Sequence, residues 1–186
     1  MDTNTIFYDL AIIALKIAIA IGFCMVVGHS ICGWQLRMIK MKKNNKLTAL
    51  DVANYAVNLC IKENKPVSNL QLQKILYYIQ RYYLYSNNPL FENDFIALAF
   101  GPAILEVYNQ YCGFGGSKIT FNFPLEDKLP ENVKDEIDLI IRTKRILEPW
   151  EINHTLLRKG SPWEVTYNTF GAYSVIPKEL IKHDYK

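Results

Sequence analysis

The stretch Ser68-Asn69-Leu70-Gln71-Leu72-Gln73-Lys74-Ile75-Leu76-Tyr77-Tyr78-Ile79-Gln80 constrains the fold more than any other part of the chain. Apolar side chains at Leu72, Ile75, Leu76, Ile79, Tyr82 and Tyr83 follow the three- and four-residue steps of one helix face. Ser68 stands where its hydroxyl would accept a backbone N–H from the first turn. Gln71, Lys74 and Arg81 fall mostly off that stripe, and Gln73 and Gln80 flank it. The spacing predicts an amphipathic helix that buries one face, and such a face must be covered by neighbouring elements.

Those neighbours read as mostly helical. Thr48 predicts an N-cap with Asp51 three residues on, and Val52, Tyr55, Ala56 and Leu59 carry an apolar face to about Asn64, before Pro66. The central helix runs to about Tyr85, where Asn87-Asn88-Pro89 reads as a turn. The apolar run Phe95 to Phe100 suits a buried strand or irregular segment better than a helix. Pro102 fits the first turn of a third helix, Ala103 to Cys112, with Ile104, Leu105, Val107, Tyr108 and Tyr111 as its buried surface. Gly113-Phe114-Gly115-Gly116 stops that helix, and the alternation of Ile119, Phe121 and Phe123 predicts a strand over Lys118 to Phe123.

Further on, Asn132 to Leu147 predicts a fourth helix, acidic at its start and basic at its end, which complements the helix dipole. Glu148 to Leu157 predicts a fifth, Ser161-Pro162-Trp163 opens another short element, and Pro177 to Lys182 forms a last turn. The expected fold class is mainly α, or α+β with one or two short strands. It consists of a compact helical domain over 48–186 behind a single N-terminal transmembrane helix.

That helix is read from Leu10 to Gly33, which is apolar apart from Lys16, His29 and Ser30 and exceeds the ~20 residues that cross a bilayer core. An acidic start (Asp2, Asp9) and an apolar run leading straight into Trp34 favour an anchor over a cleaved signal. Residues 1–36 are therefore expected to anchor the chain, with 37–47 as a basic juxtamembrane linker. Arg37, Lys40, Lys42, Lys43 and Lys46 place the following domain in the cytoplasm. Lys16 can snorkel toward the headgroups. Gly22 and Gly28 lie in rows of small residues at every fourth position, which suit close helix approach and a homo-oligomer. Initiation at Met38 or Met41 would instead give a soluble protein.

Charge argues against a nucleic-acid partner. Residues 1–46 hold six of the 21 basic and two of the 18 acidic side chains, leaving 15 basic against 16 acidic for the folded part. A domain that tracks phosphates normally carries a basic surface. Cys24, Cys32, Cys60 and Cys112 show no paired short spacing, so neither a metal site nor a disulfide framework is expected, and buried free thiols fit best. Gly113 to Gly116 lacks the Lys-Ser/Thr continuation of a phosphate loop. Pairing of Cys60 or Cys112 with His154 is outweighed by a structural reading, since both cysteines sit in helical patterns. Glu131, Asp135, Glu136 and Asp138 read as a solvated helix face. The chain is expected to bind, without cofactor or catalysis. Tyr77, Tyr78, Tyr82, Tyr83, Tyr85, Tyr108 and Tyr111 would divide between the core and a protein-binding surface.

Several short motifs occur in one order: Ala49 to Tyr55, Ser68 to Tyr78, Pro89-Leu90, Phe100-Gly101-Pro102, Val107-Tyr108, Tyr111, Gly113-Phe114-Gly115 and Ser161-Pro162-Trp163. The series resembles the Panacea domain family, which includes the SocA-like antitoxins and GepA-type phage-associated proteins. The resemblance implies a mainly helical antitoxin of a toxin–antitoxin system that neutralises a cognate toxin by direct protein binding, here anchored to a membrane. The alternatives are a phage- or mobile-element-associated adaptor delivering a partner to a protease, and a fused chain whose membrane helix is the effector. The signature residues are Ser68, Asn69, Leu70, Leu72, Gln73, Lys74, Tyr77, Tyr78, Gly101, Pro102, Tyr108, Pro162 and Trp163, serving the fold or partner binding. This chain departs from the pattern at Leu98 and Phe100, and at Leu156-Leu157, where the family often has Thr-His.

Overall fold

The computed structural model describes residues 46–122 and 128–184. The expected span with Leu10, Lys16, Gly22, Gly28 and Trp34 lies outside them, as does nearly all of the basic linker. Among the described residues no helix is long and apolar enough to cross a membrane. The folded unit begins at Leu47.

Helix α1, Ala49–Lys62, opens with a capping box in which Asp51 N–H donates to Thr48 Oγ1 (3.2 Å) and Thr48 N–H to Asp51 Oδ2 (2.9 Å). Helix α2, Asn69–Tyr85, uses Ser68 and Gln71 in the same way. A two-stranded antiparallel hairpin follows, β1 Ile96–Leu98 and β2 Gly101–Ala103, in the register Ile96 to Ala103 and Leu98 to Gly101. Helix α3 spans Leu105–Tyr111 and runs into a 3-10 turn at Cys112–Phe114, after which Gly115 takes a φ of 55°. Helices α4, Glu131–Arg145, α5, Pro149–Leu156, α6, Pro162–Phe170, and α7, Lys178–Lys182, complete the unit. Between α6 and α7 the chain lies along the free side of β1, where Ala97 N–H donates to Ser174 O and Tyr173 N–H to Ala97 O, both at 2.8 Å.

Helix α2 is the axis of the unit, touching α1, α3, α4, α5, α7 and β2. Leu72, Ile75, Leu76 and Ile79 are fully buried as the periodicity predicts, each contributing about 2 kcal/mol through removal from water. Enclosure on nearly every side overturns the one-sided expectation. Gln71, Gln73, Lys74 and Gln80 are buried too, at 2% exposure or less, while Tyr82, expected in the core, is 51% exposed. Residues 81, 82 and 85 form the strip that the neighbours leave uncovered.

Other expectations are corrected in the same way. Pro102 lies in strand β2, not in a helix, because Gly101 turns the chain at φ 103° and Pro102 pairs opposite Ala97. Helix α3 starts later, and its Leu105 and Tyr108 are exposed. The strand expected over 118–123 reduces to a single bridge between Lys118 and Ser68, with Ile119 buried and Phe121 exposed, while Phe123 lies outside the described residues. Cys60 is buried, but Cys112 is exposed. The acidic face of α4 is not wholly solvated, since Tyr83 donates to Glu136 (2.6 Å) and Tyr55 to Asp138 (2.8 Å).

Candidate functional site

Burying polar side chains on α2 is tolerable only if each finds a partner. Most of the partners are backbone groups, several of them in the hairpin and in the loops beside α2. Lys74 Nζ donates to Phe100 O (2.7 Å) and Pro102 O (3.1 Å). Gln73 Oε1 accepts from Ile104 N–H (2.9 Å), and its amide donates to Asn69 Oδ1 (3.1 Å). Asn69 in turn donates to Tyr108 O (3.1 Å). Gln80 accepts from Leu90 N–H (3.1 Å) and donates to Phe91 O (2.7 Å). Gln71 donates to Leu147 O (3.0 Å) and accepts from Lys118 Nζ (2.6 Å). Asn69, Gln73 and Lys74 of the signature, with Gln71 and Gln80 beside them, are struts that tie α2 to the backbone around it.

Asn69, Leu70, Gln73, Lys74, Gly101 and Tyr108 meet in one recess of about 370 Å³. Phe100 stands exposed at its rim. A Cβ on Gly101 would lie 2.6 Å from Lys74 Nζ, so glycine is what lets the ammonium reach both carbonyls. Ser68 stays at the cap, Leu72 in the core, and Pro162 is buried at the start of α6. Trp163 stacks on Tyr167 and donates from Nε1 to Leu98 O (2.8 Å), fastening α6 to the hairpin.

Tyr77 and Tyr78 lie elsewhere. The Tyr77 hydroxyl donates to Asp184 Oδ2 (3.1 Å) beyond α7. Arg158 donates to Oδ1 of the same carboxylate, and Arg81 donates to Asp184 O (2.9 Å). Burial pushes the Tyr77 phenol well above its ordinary value, with the Asp184 charge adding to the effect. Tyr78 packs edge-on to Tyr77 and carries the Arg81 and Lys144 cations over its ring.

Burial pulls the Lys74 ammonium from an ordinary 10.5 down to about 7. The unfolded chain holds this proton up to pH 10.5, whereas the folded chain releases it near 7, so this group's contribution to stability rises with pH between those values. Below pH 7 both states are protonated and the desolvation cost is fully present. The neutral amine still has two N–H bonds for its two carbonyls. Urea titrations between pH 7 and 9 should give the wild type a steeper rise in unfolding free energy than Lys74→Met, by up to about 1.4 kcal/mol per pH unit. Equal slopes would refute this account of Lys74.

Chemically, the recess holds backbone in place. Among the described residues no group of His, Cys, Asp and Glu could hold a metal ion, and His154 is exposed on α5. Sequence reasoning missed the partners of Gln71 and Gln80, although polar residues inside so apolar a helix were a usable signal. It also missed Asp184, for which a single acidic residue after the last predicted helical turn offered none.

The fold and its struts define a mainly helical domain strung on one buried helix, with Asn69, Gln73 and Lys74 engaged inside it. The family model described as antitoxin SocA-like, Panacea domain, matches residues 72–164, half of the chain. The chain belongs to this family. The match opens within α2 and closes just past Trp163, so Ala49 to Tyr55 and Ser68 to Leu70 precede it. Comparison with curated proteins and with solved structures gives no match.

Proposed function

We propose that this protein is an antitoxin that neutralises a cognate toxin by direct protein contact, held at a membrane by residues 1–36 with residues 48–186 in the cytoplasm. Membership of the SocA-like antitoxin family carries the reading. Action by contact is supported by the way Gln73, Lys74 and Gln80 use their polar atoms on the domain's own backbone, and by aromatic side chains such as Tyr82, Tyr85 and Phe100 on its surface. The anchor rests on the apolar run Leu10 to Gly33 and the basic residues after it.

Expressing each adjacent reading frame with and without the full chain tests the reading. One frame is expected to arrest growth alone and to be harmless alongside this protein. If no neighbour is both toxic and rescued, the antitoxin reading is wrong. Fractionation tests the anchor separately. The full chain should sediment with membranes and a chain lacking 1–36 should not, and a soluble full chain would remove the anchor while leaving the antitoxin reading in place.

A further inference from the structure

The strip of α2 left uncovered borders a second cleft, of about 450 Å³, between α2, α4 and the segment around α7. Its charged lining consists of Arg81, Lys144, Lys182 and Asp184. The single carboxylate is already engaged, by Arg158 at Oδ1 and the Tyr77 hydroxyl at Oδ2, with Arg81 3.7 Å away. Lys182 donates to the neutral Asn87 Oδ1 (2.5 Å), and Lys144 sits 4.1 Å from the centroid of the Tyr78 ring. Neither lysine has a carboxylate partner among the described residues. Burial and the neighbouring Arg81 both push the Lys144 ammonium down, which marks a cation short of negative charge. Beside these cations Ile140, Tyr82 and Tyr85 form an apolar wall, the two tyrosines being 51% and 64% exposed.

Local positive charge next to exposed aromatic surface, within a domain of 15 basic and 16 acidic side chains, fits a short acidic segment better than a polyanion. Among the described residues the cleft offers a nucleic-acid strand three cations beside an apolar wall, and the Tyr78 ring is already approached by two of them, at 4.8 Å and 4.1 Å. We propose that this cleft docks an acidic, apolar-bearing peptide segment of a protein partner, its carboxylates meeting Arg81, Lys144 and Lys182 and its apolar side chains lying on Ile140, Tyr82 and Tyr85. The inference rests on the antitoxin reading only in making that partner the toxin.

The test uses the full chain in non-ionic detergent and fluorescence anisotropy with labelled peptides. These are an alternating Glu/Asp and Leu/Phe hexapeptide, its Gln/Asn twin, its Lys twin and, as the competing class, a short oligothymidine. The acidic peptide should bind at least about tenfold tighter than its amide twin, and more weakly as salt rises. Lys144→Glu and Lys182→Glu should each weaken it by about tenfold or more, while Lys144→Arg preserves it. The two reversals lie on different elements, so if thermal unfolding shows one to be misfolded, the other decides. Equal binding of the amide twin, or indifference to the reversals, overturns the proposal. So does an oligothymidine that binds tighter than the acidic peptide and is lost in the same variants. Because the peptide experiment contains no toxin, its failure leaves the antitoxin reading standing, and failed co-expression rescue leaves the peptide result standing.

Discussion

Asp184→Ala is expected to lower the unfolding free energy by about 3–5 kcal/mol, the usual cost of removing one member of a buried charged network. The residue is 5% exposed, yet three side chains converge on it. Tyr77, itself 1% exposed, would lose the acceptor of its hydroxyl, and Arg158 and Arg81 would lose the carboxylate beside them. Arg81 would keep only its bond to the backbone carbonyl of residue 184. Domains of this size have about 5–15 kcal/mol in total, so the variant should sit at the edge of unfolding. Urea denaturation followed by tryptophan fluorescence measures the loss. Asp184→Asn, which keeps an acceptor for Tyr77, should lose less. A drop below about 1 kcal/mol for the alanine variant would mean that the tail does not latch the domain.

Gly101→Ala should cost about 3 kcal/mol, from two sources. A φ of 103° is a region that side-chain-bearing residues rarely occupy, and holding one there costs about 1–3 kcal/mol. The new methyl would also lie 2.6 Å from Lys74 Nζ and 3.0 Å from Leu157 Cδ2. An ammonium at the end of a free lysine would swing away, but this one is fixed by two carbonyls, so moving it exposes Phe100 O and Pro102 O to loss of their donor. A double-mutant cycle with Lys74→Met separates the terms. The clash with Nζ should vanish in the Met background, where a flexible thioether end replaces the tethered ammonium, and the backbone strain and the approach to Leu157 should remain. Additive losses in the cycle would show that Gly101 and Lys74 are not coupled.

Helices declared themselves in the sequence wherever a cap stood before a periodic apolar face. Thr48 with Asp51 and Ser68 with Gln71 form capping boxes, and α1 and α2 lie within about two residues of their expected bounds, as does α4, whose periodic face starts without a side-chain cap. Local chemistry decides such elements, and local chemistry is what a sequence records. The hairpin was half legible. The apolar run to Phe100 suggested a strand, but the proline rule for helix starts drew Pro102 into α3, because the register with Ala97 is set across the turn and not by neighbours in the chain.

The candidate sites were legible as residues and not as places. Ser68 to Tyr78 carried part of the family resemblance, and pattern alone put Lys74 mostly off the buried stripe, with Gln73 and Gln80 flanking it. Only the tertiary structure showed them buried, because burial of a polar side chain depends on the carbonyls and amides that distant segments bring to it, at Phe100, Ile104 and Phe91. The same holds for the cationic cleft. Arg81, Lys144 and Lys182 are unremarkable on three separate helical segments, and they come together only where α2, α4 and the segment around α7 line one cleft. The sequence by itself determined most of the helices, the caps at Thr48 and Ser68, and the family. Tertiary packing decided which polar groups hold the domain together and which stay at its surface, since hydrogen bonding and charge are settled by proximity in space.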